Sequence, residues 1–227
     1  MIDVEEKGLG FFPGREDDRD WLLERRLESI VVPKVKGSKF YFNPMKLDQG
    51  SEGACVGFGH VQGFNSDPKR HKKGNDYGHE VYREATYIDD WPNEDWTNSS
   101  GTSVRAGAEV MLKRGHIPGY AFTYSVQEIA TWILNKGPVI IGVDWYAGMD
   151  RPSQKNDYFI KPTGARRGGH CTLIDGVRWN RDSSDYFRVL NSWGPDWGFG
   201  GRARITAEDL HKLLSEPYAV GCTWVES

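Results

Sequence analysis

QGSEGACVGFGH, Gln49 to His60, sets one cysteine among glycines with an amide side chain six positions ahead. Such a stretch is either a nucleophile at the start of a helix or a buried structural thiol. The residues from Cys55 onward predict a helix that begins at or near the cysteine. Gly57, Gly59 and Gly63 weaken that helix by up to ~1 kcal/mol each relative to Ala, so packing must hold it, with the glycines admitting close neighbours. A thiol there feels the positive end of the helix dipole, which lowers its pKa.

Downstream, HEVYREATYID repeats apolar residues at helical spacing, as does SVRAGAEVMLKRG, which closes on Gly115. SVQEIATWILNKG opens with Ser125 and Glu128 as a capping box, and TAEDLHKLL is a last helix capped by Thr206. PVIIGV, HCTLIDGV, DYFRVLNSW and GRARI read as strands. Upstream, VVPKVKGSKFYFNP reads as extended chain, since Pro33 and Pro44 oppose a helix. Helices first and strands after predict an α+β protein of two lobes with the site in the cleft between them. The helical lobe is placed at about residues 50–124 and the β lobe at about 125–227. Residues 1–30, acid-rich and weakly apolar, are read as a loose surface extension with a short surface helix over Asp20 to Ser29.

A net charge of −3 offers no general attraction to nucleic acid or to anionic membranes, so neither is expected as a partner. No stretch approaches the ~20 apolar residues of a membrane span. MIDVEEKGLG lacks the basic and apolar regions of a secretory signal, which predicts a cytoplasmic protein, in a virion or host cytoplasm if the source is viral. Three widely spaced cysteines, Cys55, Cys171 and Cys222, with no C-x-x-C, oppose a disulfide framework or zinc knuckle. No metal or other cofactor is expected.

A thiol nucleophile needs a base, a group that orients the base, and donors for the oxyanion. His170 begins a strand behind two glycines, and Asn191 ends the next strand, so the two meet if the strands pair. Asn can accept from one imidazole nitrogen and so decide which nitrogen faces the sulfur. Gln49 offers an amide donor.

QGSEGACVGF, GGHCTLIDGV and VLNSWGPDWGFGG together resemble the three signature blocks of the papain-like cysteine peptidases, in that family's order of Gln, Cys, His and Asn. The resemblance runs from about Val32 to the C-terminus. It implies a papain-like α+β fold without a long propeptide, and a cysteine endopeptidase working on peptide or protein substrates through a thioester. It makes Cys55 the nucleophile, His170 the acid and base, Asn191 the orienting group and Gln49 the oxyanion donor, with Trp193 shielding the His–Asn hydrogen bond. Gly101 and Gly169 become substrate-binding positions, Gly101 because a side chain there would obstruct an extended peptide. An apolar or aromatic side chain is expected in the second subsite. The same thioester chemistry would serve a transpeptidase or amidase, and a viral or structural assembly protein could keep the fold; all four groups being present favours the enzyme.

Three features depart from the family pattern. Glu52 stands where secreted members have a disulfide cysteine, and Val56 where an aromatic residue is usual, which predicts a smaller cleft wall. Cys55 and His170 are 115 positions apart, below the ~130–150 of papain-like enzymes. Elsewhere bland readings prevail. Cys171 and Cys222 are core thiols, Lys69 to Lys73 a solvated basic loop, and Asp89, Asp90, Glu94 and Asp95 a surface loop. His60 points away from the helix start.

Overall fold

Helix α2, Cys55–Asn65, begins on Cys55 and is buried along its whole length. A helix enclosed on every side cannot carry large residues all round, and its glycines mark the closest passages. A Cβ on Gly57 would fall 2.5 Å from the Gly78 carbonyl of helix α3 (Asn75–Ile88), and one on Gly59 would fall 2.9 Å from the Cys171 sulfur. Helix α4, Val104–Lys113, completes this lobe, with Ser103 Oγ accepting from the Ala106 N–H at its start and Gly115 (φ +67°) after its end. The computed structural model of the chain describes residues 6–14, 21–28, 35–89, 101–180 and 184–225.

The second lobe is a seven-stranded antiparallel sheet in the order β4 (Tyr120–Thr123), β9 (Val220–Trp224), β5 (Val139–Tyr146), β6 (Arg166–Trp179), β7 (Tyr186–Leu190) and β8 (Arg202–Thr206). Strand β2, Gly37–Phe40, pairs with the far end of β6. Helices α5 (Val126–Asn135) and α6 (Ala207–Leu214) cover the sheet and contribute Ile129, Ile133, Leu210 and Leu213 to its main core. The predicted helices and strands form, and the α+β architecture with them. Two strands of this sheet, β4 and β9, lie outside the strand runs read from the sequence. The sheet therefore takes in residues 120–123, which the sequence reading left in the helical lobe. The capping box at Ser125 is half made, because Glu128 takes its hydrogen bond from the Thr123 hydroxyl.

Packing corrects the reading of the N-terminal residues. Helix α1 is Leu23–Leu27, and Leu23 is wholly buried in the β-lobe core, so this segment is docked rather than loose; Asp20 and Ser29 lie outside the described residues. Further upstream, β1 (Phe11–Phe12) pairs in parallel with β3 (Thr102–Ser103), with Phe11 buried in the cluster that joins the lobes. Asp89 is likewise more than a loop residue. Its carboxylate accepts from the Thr102 hydroxyl and the Ser103 N–H at 2.6 Å each and from the Ser103 hydroxyl at 2.9 Å, tying the end of α3 to β3. Asp90, Glu94 and Asp95 lie outside the described residues.

Candidate active site

Strand β6 carries His170 and β7 leads into Asn191, and the antiparallel register of β6 and β7 sets the two side by side. His170 Nε2 lies 2.8 Å from Asn191 Oδ1, which also accepts from the Ser192 N–H at 2.8 Å. An oxygen can only accept, so Nε2 carries the proton and the neutral ring leaves Nδ1 as the basic nitrogen. That nitrogen is buried and has no hydrogen-bond partner. Across the lobe junction the Cys55 sulfur receives the backbone N–H of Cys171, the residue after His170. Topology thus cancels much of the sequence separation: α2 packs against β6 and sets Cys55 against Cys171, the neighbour of His170 in sequence.

Gln49 is tied to the residue that follows Asn191, its backbone N–H donating to the Ser192 carbonyl at 2.9 Å. Its side-chain oxygen accepts from the Ser192 hydroxyl at 2.6 Å, which turns the NH₂ toward the cleft. Ser192 follows Asn191 directly, and nothing in the local sequence marks it as a partner of Gln49. Only the folded chain brings its hydroxyl, 143 positions away in sequence, onto the Gln49 amide. Trp193 lies against the imidazole with ring centres 4.9 Å apart and is fully buried, the place expected of a shield over the His–Asn bond. Trp145 on β5, unremarked in sequence, packs edge-on against the same ring at 4.8 Å. Its indole N–H is held by Asp150 at 2.9 Å, which also pairs with Arg167 at 2.7 Å.

The expected substrate positions are already filled, by the chain itself. The Gln49 amide donates to the Gly8 carbonyl at 3.1 Å, and the Thr102 N–H donates to the Gly10 carbonyl at 2.9 Å. A Cβ on Gly101 (φ +113°) would lie 2.2 Å from the Gly10 oxygen, and one on Gly169 would lie 2.1 Å from the Phe11 oxygen. Both glycines do admit an extended backbone, that of residues 8–11. Cys55 and His170 are consequently unexposed. Burial pushes the Cys55 thiol up to about 12, against the N–H groups of Cys171, Gly10 and Val56, and pushes His170 down to about 4, against its bond to Asn191. Covered in this way, the pair is held as neutral thiol and neutral imidazole.

Val56 is buried in the cluster that joins the lobes, with a side-chain methyl against Gly107 of α4. Glu52 contacts the His79 imidazole of α3, so a polar link takes the place of a covalent brace. His60 is no rival base, since its Nε2 faces the Val104 carbonyl at 3.0 Å inside the helical lobe. Cys171 and Cys222 are buried core thiols. Among the described residues no group of three or more His, Cys, Asp or Glu is placed to hold a metal ion.

The chain is similar to known cysteine proteinases. The chain is 33% identical over 116 residues to cathepsin B-like cysteine proteinase 2 of Haemonchus contortus, covering 51% of this chain and 33% of that protein. It is 31% identical over 117 residues to cathepsin B-like CP1 of Giardia intestinalis, covering 50% of this chain and 37% of that one. It thus spans about a third of the length of these two relatives. In fold it is similar to xylellain, a cysteine protease from Xylella fastidiosa, with a TM-score of 0.68 and 17% identity over 98% of this chain and 97% of that one. A family model described as papain family cysteine protease matches residues 71–219, and the chain belongs to that family.

Proposed function

We propose that the chain is a cysteine endopeptidase in which Cys55, His170, Asn191 and Gln49 carry the reaction. The observation that bears most weight is the imidazole of His170, whose Nε2 is engaged by Asn191 while Nδ1 is left free. In the open cleft, Nδ1 takes the thiol proton and the sulfur attacks a peptide carbonyl carbon. The Gln49 NH₂ faces the oxyanion that forms. Collapse expels the amine, which takes the proton back from Nδ1, and leaves a thioester; water, deprotonated by the same nitrogen, then releases the acid. Phe11, seated against Gly142 in the apolar junction of the lobes, supports a second subsite that takes an apolar or aromatic side chain.

The test uses the full chain carrying Gly10→Ala, because a Cβ at residue 10 would fall 2.0 Å from the Gly53 carbonyl and displace the covering segment. This variant is expected to hydrolyse fluorogenic peptides bearing Phe or Leu two residues before the scissile bond, and Cys55→Ala in that background is expected to abolish turnover. Turnover that survived Cys55→Ala would refute the assignment. Adding a primary amine separates hydrolysis from transpeptidation by the appearance of a ligated product.

A further inference from the structure

The sheet of the second lobe turns Phe187, Val189, Ala203 and Ile205 into its main core, so the alternate residues of β7 and β8 form the opposite face. On that face the antiparallel register sets Arg188 of β7 directly against Arg204 of β8. Like charges so placed weaken a ladder. Arg188 is relieved by Asp175, which it shares with Arg202. Arg204 meets no carboxylate among the described residues; its guanidinium lies over the rings of Tyr186 and Phe159, 5.3 and 5.9 Å from their centres. A guanidinium held by its flat face keeps its in-plane N–H groups for an acceptor.

These strands line a groove of about 750 Å³ that also takes in Lys46, Phe42 and Phe199. Four cations border it and no carboxylate does, since Asp175 is itself unexposed. Lys46 is accordingly driven down to about 8, by burial first and then by Arg202, with Asp175 opposing. The groove is short of negative charge. Its rings are equally uncovered: Phe42 is 59% and Phe199 71% exposed, and Tyr158 stands against Phe199 with ring centres 5.5 Å apart. Large apolar groups gathered in one concavity mark a contact surface rather than a solvated face.

We propose that this groove binds an acidic peptide segment bearing aromatic or large apolar side chains, its carboxylates on Arg204 and Lys46 and its apolar groups over Phe42 and Phe199. A peptide supplies both kinds of group from neighbouring residues. A sulfated polysaccharide would satisfy the cations and leave the rings in water. An oligonucleotide carries a charge at every residue, and the net charge of −3 on this chain opposes it at long range. The groove shares no residue with the candidate active site, so binding there is independent of the peptidase reading.

Isothermal titration of the full chain with the synthetic peptide acetyl-DEFDEYDF-amide tests this. One site of micromolar affinity is expected, weakening as salt screens the charges. Arg204→Ala and Phe199→Ala are each expected to weaken binding by on the order of 10-fold. Both side chains are exposed, so urea midpoints of these variants should match that of the intact chain, which separates loss of binding from loss of fold. The same peptide with its acids changed to Asn and Gln, or with its rings changed to Ser, should also bind on the order of 10-fold more weakly. The proposal is overturned if no binding is seen up to about 1 mM peptide, or if both variants bind as the intact chain does. It is equally overturned if the ring-free peptide or an oligothymidylate binds as tightly as the acidic aromatic one, which would make the groove a general polyanion surface.

Discussion

The side-chain amide of Gln49 and the backbone carbonyl of Gly8, 41 positions apart in one chain, lie 3.1 Å from each other. A donor that would stabilise a reaction intermediate is thus spent on the protein's own backbone. This predicts that Gln49→Ala has two effects of opposite sign. In the Gly10→Ala background it should lower kcat/KM by on the order of 10²-fold, as removal of an oxyanion donor does. In the otherwise unchanged chain it should speed Cys55 alkylation by loosening the segment. Peptide hydrolysis and alkylation rates on the same preparations check both; movement in one direction only would contradict the dual role.

Asn191 is expected to act through His170 rather than on substrate. Removing Oδ1 by Asn191→Ala leaves the Nε2 proton without its acceptor and the ring free to adopt the other tautomer. In the open variant, kcat should fall by roughly 10²-fold with KM little changed. A fall confined to KM would place Asn191 in substrate binding instead.

Two fully buried histidines make stability depend on acid. His170 and His60 are each pushed from the ordinary 6.5 down to about 4 by burial, His60 despite its contact with the Val104 carbonyl. Between those values the unfolded chain binds protons that the folded chain refuses, so stability is full above pH 6.5 and is lost as pH falls toward 4. The slope in mid-window should be on the order of 1 kcal/mol per pH unit for each histidine. Urea midpoints at pH 7, 5.5 and 4.5 measure it, and a midpoint unchanged across that range would refute the assignment.

Asp175 should be among the costliest residues to lose outside the site. Its side chain is unexposed and accepts from Arg188 Nε at 2.6 Å and Arg202 Nε at 2.8 Å, joining β6 to β7 and β8. Asp175→Ala leaves two partly buried guanidinium groups facing each other and is expected to cost about 3 kcal/mol or more in urea unfolding. A cost under ~1 kcal/mol would show that water replaces the carboxylate.

The helices and most of the strands were legible because their apolar residues repeat at fixed intervals, and Gln49, Cys55, His170 and Asn191 were legible because local residue types mark them: glycines before the imidazole, a glycine-set cysteine, an NSWG turn. Those signals are short-range. What occupies the cleft was not legible, for the contacts that decide it are made by the backbone N–H and carbonyl groups of residues 8–10, to the Gln49 amide, the Gly50 carbonyl and the Thr102 N–H, and a backbone N–H or carbonyl has no side chain to announce it. Composition over residues 1–30 averaged the acidic stretch with KGLGFF and so predicted a loose extension, although alternate glycines beside two phenylalanines were the one local trace of a close backbone approach. By itself the sequence determined which groups this protein has for thiol chemistry. Only the tertiary structure decided that they are covered, since burial by a distant segment is what raises the thiol, lowers the imidazole and keeps both neutral.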